Sequence, residues 1–295
     1  MILILGCNGF IGQHLTKYII KSNKYQKILG VGRKEQFAFK HKNFEYLSLD
    51  ICNHNLLSFS RYNIDTILVL ASDASTNKII KKELKKQYDN NVLITKNTLR
   101  LCKILKPKTF IYFSSVYAYT ESNNYLNEKL LCKPKNILGK SKISSENIIK
   151  NEYHNYKQTK FIILRLFTVY GKNMRKEQFL YEAIRKIKNK NKKITFYNPE
   201  TFRNFIHVND VCRLCYKLIN FKKLAKYQIF NIASNKSYKI KKIVSILLEF
   251  SKKQKKINYI SGKNNYSHFA NINSIKKKFG KIRFVNIKKG IKELF

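Results

Sequence analysis

The chain has no tryptophan, three prolines and two methionines in 295 residues, and only 17 acidic residues against 60 lysines and arginines. The shortage of acid leaves a formal charge of +43. A charge of that size raises nucleic acid or an anionic membrane as a partner. A dedicated surface of that kind is clustered. Lysine here is spread over almost every segment, in short runs such as Lys81-Lys82 and Lys276-Lys277-Lys278. This reads as compositional bias, and nucleic acid is not expected as a partner. There is no uninterrupted apolar run of about 18 residues, so no membrane span is expected. Met1-Ile2-Leu3-Ile4-Leu5-Gly6 lacks the basic start and cleavage site of a secretory signal. It reads as a buried first strand, and a cytoplasmic protein is expected.

Cysteine is also scarce. Cys7, Cys52, Cys102, Cys132, Cys212 and Cys215 are expected to be free thiols. Cys212-Arg213-Leu214-Cys215 has no second pair and no nearby histidine pair, so no metal site is expected. Residues three apart share a helix face, and two buried small side chains are the expectation there.

What is present is an alternation. Apolar strand runs at 2–5, 27–31, 66–71, 110–114 and 161–167 alternate with helical patterns at 11–21, 84–106 and 140–151. Strands alternating with helices predict an α/β fold, a Rossmann-type doubly wound parallel sheet. After about Gly171 the strict alternation fades. Residues 1–171, with a return at about 203–225, are predicted to form the dinucleotide-binding domain. Residues 172–295 are predicted to form a smaller C-terminal α+β lobe for substrate.

Gly6-Cys7-Asn8-Gly9-Phe10-Ile11-Gly12 follows the first strand and opens the first helix. Glycines at this spacing allow a tight turn, close approach of backbone to a pyrophosphate, and tight helix–strand packing. The free N–H groups of the helix start then face the phosphates. The second strand ends Gly30-Val31-Gly32-Arg33-Lys34, without the acid that takes both ribose hydroxyls of NAD. Arg33 is suited to a 2′-phosphate, so NADP is favoured over NAD.

The GxxGxxG loop with Phe10-Ile11 resembles the extended short-chain dehydrogenase/reductase family, the nucleotide-sugar epimerases, dehydratases and ketoreductases. Further segments carry the resemblance down the chain: Leu49-Asp50-Ile51, Leu70-Ala71-Ser72, Tyr88-Asp89-Asn90-Asn91-Val92, Phe113-Ser114-Ser115-Val116-Tyr117-Ala118-Tyr119, Leu164-Arg165-Leu166-Phe167-Thr168-Val169-Tyr170-Gly171, Arg203-Asn204-Phe205-Ile206-His207 and Phe230-Asn231-Ile232-Ala233. The resemblance implies a cofactor site of Gly6, Gly9, Phe10, Ile11, Gly12, Arg33, Asp50, Ile51, Leu70, Ala71, Asn90, Lys142 and Phe167. It implies Ser115, Thr168 and Arg203 as contacts to a nucleoside-diphosphate sugar, with Arg203 on the diphosphate. It implies a homodimer through the helices at 84–106 and 140–151. His207 is expected to be structural, and Asp210 to cap a helix beginning near Val211.

The family's proton-transfer pair is Tyr-x-x-x-Lys. Here the stretch reads Pro134-Lys135-Asn136-Ile137-Leu138-Gly139-Lys140-Ser141-Lys142, with Leu138 in the tyrosine's place. Leucine exchanges no proton. Tyr125/Lys129, Tyr153/Lys157, Tyr156/Lys160, Tyr238/Lys242 and Tyr259/Lys263 have the same spacing but not the surrounding residues. Two explanations stay open. The proton is carried by a displaced group, Tyr119 or Ser115, which with Lys142 then form the catalytic set. Alternatively the chain is a non-catalytic NAD(P)-binding protein or the partner subunit of an active relative. The leading expectation is an enzyme of keto-reduction or epimerisation on a nucleoside-diphosphate sugar in polysaccharide synthesis.

Overall fold

The computed structural model describes residues 1–75, 80–190, 193–262 and 266–295. The elements begin with β1 (Ile2–Leu5), α1 (Phe10–Ser22), β2 (Ile28–Gly32), β3 (Phe44–Ser48), β4 (Thr66–Val69), α2 (Lys81–Leu105) and β5 (Thr109–Ser115). They continue with β6 (Tyr125–Leu126), α3 (Ile137–Glu152), β7 (Lys160–Leu166), β8 (Thr168–Tyr170), α4 (Phe179–Lys188), β9 (Lys193–Tyr197) and β10 (Phe202–His207). The last are α5 (Val208–Ile219), β11 (Tyr227–Ile232), β12 (Ser237–Lys239), α6 (Ile240–Ser251), β13 (Lys256–Ile260), β14 (Phe269–Ala270), α7 (Asn273–Phe279) and α8 (Ile287–Lys292). They fall into two compact units. The first comprises Met1–Thr120, Leu131–Arg165 and Cys212–Phe230, the second Glu121–Leu130, Leu166–Val211 and Asn231–Phe295.

The first unit is built on a seven-stranded sheet in the order β11-β7-β5-β4-β1-β2-β3. β1 pairs in parallel with β2 and β4, β2 with β3, and β4 with β5. The chain therefore winds outward from β1 in both directions, and strand order reverses between β1 and β4. In such sheets the ligand crevice opens beyond the carboxyl ends of the strands at that reversal. Leu5 and Val69 end those two strands, so Gly6 and Ala71 stand at the crevice. β1, β2 and β4 are buried on both faces, as unbroken apolar runs require of a covered parallel sheet. Leu3, Leu5, Leu29, Val31, Ile67 and Val69 share one core with Leu99 of α2 and Ile149 of α3.

β3 and the start of α3 differ from the sequence reading. β3 is an edge strand with no apolar run to announce it, because its side chains are only half covered. α3 begins at Ile137, not near Lys140, because the Asn136 carboxamide accepts the Gly139 N–H at 2.8 Å and caps the helix there. Leu138 thereby lies in the first helical turn. α2 and α3 are joined by a polar seam. Tyr88 bonds Ser144 (2.7 Å), Asn91 donates to Ser141 (3.0 Å), and Thr95 donates to Ser145 (2.8 Å). The three- and four-residue spacing puts these side chains on facing stripes.

In the second unit β10 pairs in parallel with β8 and antiparallel with β12. β9 pairs with β13, and β6 with β14, both in parallel. α4 buries Leu180, Ala183, Ile184 and Ile187 at helical spacing and packs on α6, which presents Ile243, Val244, Ile246 and Leu247. Asp210 does not cap a helix near Val211. α5 starts at Val208, and the Asp210 carboxylate in its first turn accepts the Val285 N–H at 2.9 Å. Cys212 and Cys215 are both buried on α5, and burial pushes the Cys212 thiol up to about 12. Among the described residues no helix is long and apolar enough to cross a membrane.

Candidate active site

The glycine loop leaves β1 at Gly6, whose φ of +87° is left-handed. A Cβ there would lie 2.6 Å from the Ala71 nitrogen, so glycine is needed on both counts. Gly9 is the N-cap of α1. Among the described residues no side chain caps this helix start, and its first turn contains no acid. The N–H groups of a first turn left open in this way suit an anionic group. A Cβ on Gly12 would fall on the Gly6 carbonyl and within 2.8 Å of Cys7 backbone. The donors, the missing cap and the close packing fit a dinucleotide pyrophosphate. Gly12→Ala is expected to lose dinucleotide binding and about 1–3 kcal/mol of stability, as overpacking does. Titration with NADPH beside a urea unfolding curve measures both, and binding retained at full strength would remove the loop from the site.

At the neighbouring strand end, the Leu70 and Ala71 N–H groups both donate to the Leu5 carbonyl, at 2.9 and 2.8 Å. The Asp50 carboxylate accepts the Cys52 N–H at 3.0 Å, which closes a turn. Asn97 of α2 donates to the Ile51 carbonyl at 2.9 Å and anchors that turn. Arg33 is exposed. Burial and then the Asp50 charge push the Cys52 thiol up to about 11, and Arg33 pulls it down, so the guanidinium lies within electrostatic reach of this turn.

Asn91, rather than Asn90, turns inward on α2. It accepts from the Asp73 N–H (2.8 Å) and the Ser72 hydroxyl (3.1 Å), and donates to the Asp73 carbonyl (3.0 Å) as well as to Ser141. Helical phase is the reason. Gln87, Asn91, Thr95 and Thr98 form the buried stripe, while Asn90 is rotated about 100° away.

Leu138 and Lys142 are one turn apart on α3, and both are buried. The Lys142 ammonium donates to the Phe113 carbonyl at 2.8 Å and lies 4.8 Å over the Tyr112 ring. Burial lowers its pKa to about 7, with the Glu146 charge opposing. One turn further along, Glu146 meets Arg165 of β7 at 2.7 Å with both side chains almost wholly buried. Burial disfavours the guanidinium charge, but the Glu146 hydrogen bond and charge outweigh it and hold Arg165 above its ordinary range. Ser114 also donates to Glu146. Ser115 is half-buried, and its hydroxyl accepts the Tyr117 N–H at 3.2 Å, starting the short turn at 116–118 on which α3 packs. Tyr119 is buried with its ring 4.6 Å beneath the Arg165 guanidinium. Arg165 stands in a segment that carries the family resemblance, but its pairing with Glu146 is not legible in the sequence, although Glu146 follows Lys142 at the four-residue spacing that shares a helix face.

Ser115, Tyr119 and Lys142 thus belong to the first unit, and Phe167, Thr168 and Arg203 to the second. The Phe167 N–H donates to the Ile232 carbonyl at 3.0 Å, and Thr168 opens β8 opposite Phe205. Arg203 on β10 donates to the Phe202 and Tyr266 carbonyls, at 3.0 and 2.6 Å, and stacks 5.4 Å over the Tyr266 ring. Burial and the Arg203 charge lower His268 to about 3, so it stays neutral. His207 is buried with Nε2 3.5 Å from the Glu293 carboxylate. Lys263, of the Tyr259 pair, lies outside the described residues.

Known proteins share this sequence pattern and fold. The model of the NAD dependent epimerase/dehydratase family matches residues 2–233. A dTDP-D-glucose 4,6-dehydratase of Dictyostelium discoideum is 30% identical over 233 residues, 71% of this chain and 53% of that protein, so the chain spans about half the length of this relative. A CDP-abequose synthase of Salmonella muenchen is 26% identical over 88% of this chain and 83% of its own. The solved structure of UDP-glucuronic acid 4-epimerase from Bacillus cereus, in complex with UDP-glucuronic acid and NAD, superposes with a TM-score of 0.88 at 24% identity, covering 99% of this chain and 96% of that one. Likeness at that identity establishes the fold, and the match over 2–233 establishes the kinship: the chain belongs to the NAD-dependent epimerase/dehydratase family.

Proposed function

We propose that the chain acts on a nucleoside-diphosphate sugar by keto-reduction or epimerisation, with NADP favoured over NAD, through a site in which Lys142 takes over the proton exchange of the absent tyrosine. The observation that carries this is the buried Lys142 amine, one helical turn from Leu138 and bonded to a carbonyl two residues before Ser115. Kinship adds support, since the relatives' names are those of enzymes of dTDP-, CDP- and UDP-sugars. In this reading Ser115 hydrogen-bonds the reacting sugar oxygen, and Arg203 pairs with the diphosphate. The loop at 6–12 and Asp50 hold the dinucleotide, which supplies or accepts hydride. Lys142 orients its ribose and exchanges a proton with the sugar oxygen through Ser115. Arg33, with no acid at the end of β2, is the feature that favours a 2′-phosphate. Self-association through α2 and α3 belongs to the same reading, with Leu93 exposed on the outer face of α2.

The groups facing Lys142 are Glu146 on its own helix and Tyr112 on β5, with Arg165 of β7 neutralising Glu146. Reduction consumes a proton, so it requires the ammonium form. Its rate is expected to fall as pH rises through about 7, while the oxidative direction rises over the same range. Lys142→Arg keeps the charge but does not titrate there. It is expected to lose about 10²-fold in kcat and to flatten the profile. Turnover of a panel of UDP-, dTDP-, GDP- and CDP-sugars with NADPH, followed from pH 5.5 to 9, provides the test. A profile unchanged in Lys142→Arg would refute the assignment.

A further inference from the structure

β2 ends at Gly32, and the space that a side chain would take there is already filled. A Cβ built on Gly32 falls on the carboxamide oxygen of Asn8, with the Tyr46 hydroxyl 3.3 Å away. Asn8 is part of the glycine loop, between Gly6 and Gly9, and Tyr46 comes from the edge strand β3. The Tyr46 hydroxyl donates to Asn8 Oδ1 at 2.8 Å and lies 3.0 Å from the Gly32 carbonyl. It also meets the Lys34 carbonyl. Burial, then the Cys7 charge, raise the Tyr46 phenol above its ordinary pKa, so it remains a donor. The amide nitrogen of Asn8 points the other way and donates to the Gln36 carbonyl at 3.4 Å. The oxygen of Asn8 faces the Tyr46 hydroxyl and the Cys7 thiol, and its NH₂ group faces the segment 33–36 that carries the exposed Arg33.

The end of the second strand is where a Rossmann site holds the adenosine ribose, and an acid there takes its hydroxyls. Here Asn8 occupies that acid's volume. The polar groups offered in its place are donors, an amide N–H₂ and a guanidinium. Donors bond the charged oxygens of a phosphate more strongly than a neutral 2′-hydroxyl, which they also reach.

We propose that Asn8, held over Gly32 by Tyr46, is the residue that selects a 2′-phosphorylated nicotinamide dinucleotide over its unphosphorylated form. The inference rests on the dinucleotide reading of the loop at 6–12 and is independent of which sugar is turned over. It assigns selection to the Asn8 side chain, whose place over Gly32 depends on the Tyr46 hydroxyl. Arg33 then acts as an added charge.

The test is direct titration with NADPH and NADH, without sugar, read by nicotinamide fluorescence. Native protein is expected to bind NADPH at least about tenfold more tightly, the scale of one hydrogen bond to a charged group. Asn8→Gly is expected to lose most of that preference. Gly32→Asp alone is expected to bind both dinucleotides poorly, because its side chain meets Asn8. The Asn8→Gly/Gly32→Asp double variant is expected to recover NADH binding and invert the preference. Tyr46→Phe keeps the ring in place and releases the Asn8 carbonyl, so it is expected to reduce the preference for NADPH. This variant decides the matter if the aspartate variants do not fold. Full preference for NADPH in Asn8→Gly and Tyr46→Phe overturns the proposal, as does NADH binding by Gly32→Asp equal to that of the double variant. Failure of native protein to bind either dinucleotide overturns the underlying reading as well. Absence of sugar turnover with the NADPH preference intact would leave the selector standing and sink only the enzymatic reading.

Discussion

Arg165→Leu is expected to lower the unfolding free energy by about 3–5 kcal/mol, the cost of leaving a buried charge unpaired. Glu146 and Arg165 meet at 2.7 Å with side-chain exposures of 4% and 5%, so water has no access to replace the lost partner. The Ser114 hydroxyl is bound to the same carboxylate, and the Tyr119 ring rests against the guanidinium. The change therefore loosens Glu146, Ser114 and Tyr119 together. The double variant Glu146→Leu/Arg165→Leu is expected to recover most of the loss, because an apolar pair needs no charge compensation. Urea unfolding of the two single variants and the double closes the cycle. A single-variant loss below about 1 kcal/mol, the range of exposed pairs, would show that the pair is hydrated. The pair matters to the site because Glu146 is the charge that limits the pKa drop at Lys142. Its removal is expected to carry the pH profile of reduction to lower pH, a readout that a purely structural role would not move.

Leu138→Tyr is expected to raise turnover of nucleotide sugars about 10²-fold, the scale of a general acid–base group. The side chain at 138 lies one turn before Lys142, in the first turn of α3, which packs on the turn beginning at Ser115. A phenol there stands beside the ammonium and shares its face. Ser115 supplies a hydrogen-bond partner for the added hydroxyl. Initial rates of reduction with NADPH measure the gain. A fall in rate, together with abolition of native activity by Tyr119→Phe, would move the proton route to Tyr119 and away from Lys142. Its ring is buried under Arg165, which makes that route the poorer one. No turnover in either parent or variant, with NADPH still bound, would instead identify a non-catalytic dinucleotide-binding subunit.

Much of the first unit was legible because its signals are local. β1, β4 and β5 are mainly apolar, and each lies within two residues of its expected bounds. β3 was not legible. It is half exposed, and its place is set by pairing with β2 rather than by its own hydrophobicity. The start of α3 was misplaced by three residues because Asn136 was not weighed as a cap. Which of the adjacent Asn90 and Asn91 turns inward is a matter of helical phase and is not legible from local sequence.

The sequence by itself determined the doubly wound parallel sheet, the glycine spacing at 6–12, the family and the presence of leucine at 138. Each depends on spacing within a few residues, where periodicity and glycine position are sufficient. Tertiary structure alone decided which side chains meet across the sheet. Tyr46 reaches Asn8 from 38 positions away, Asn91 reaches Ser141 across 50, and Arg165 neutralises Glu146 across 19. The depressed pKa of Lys142 comes from its burial against β5, on which composition and motif are silent. Desolvation and close contact are properties of packed neighbours, and no local pattern along the chain encodes which distant residue will fill a given space.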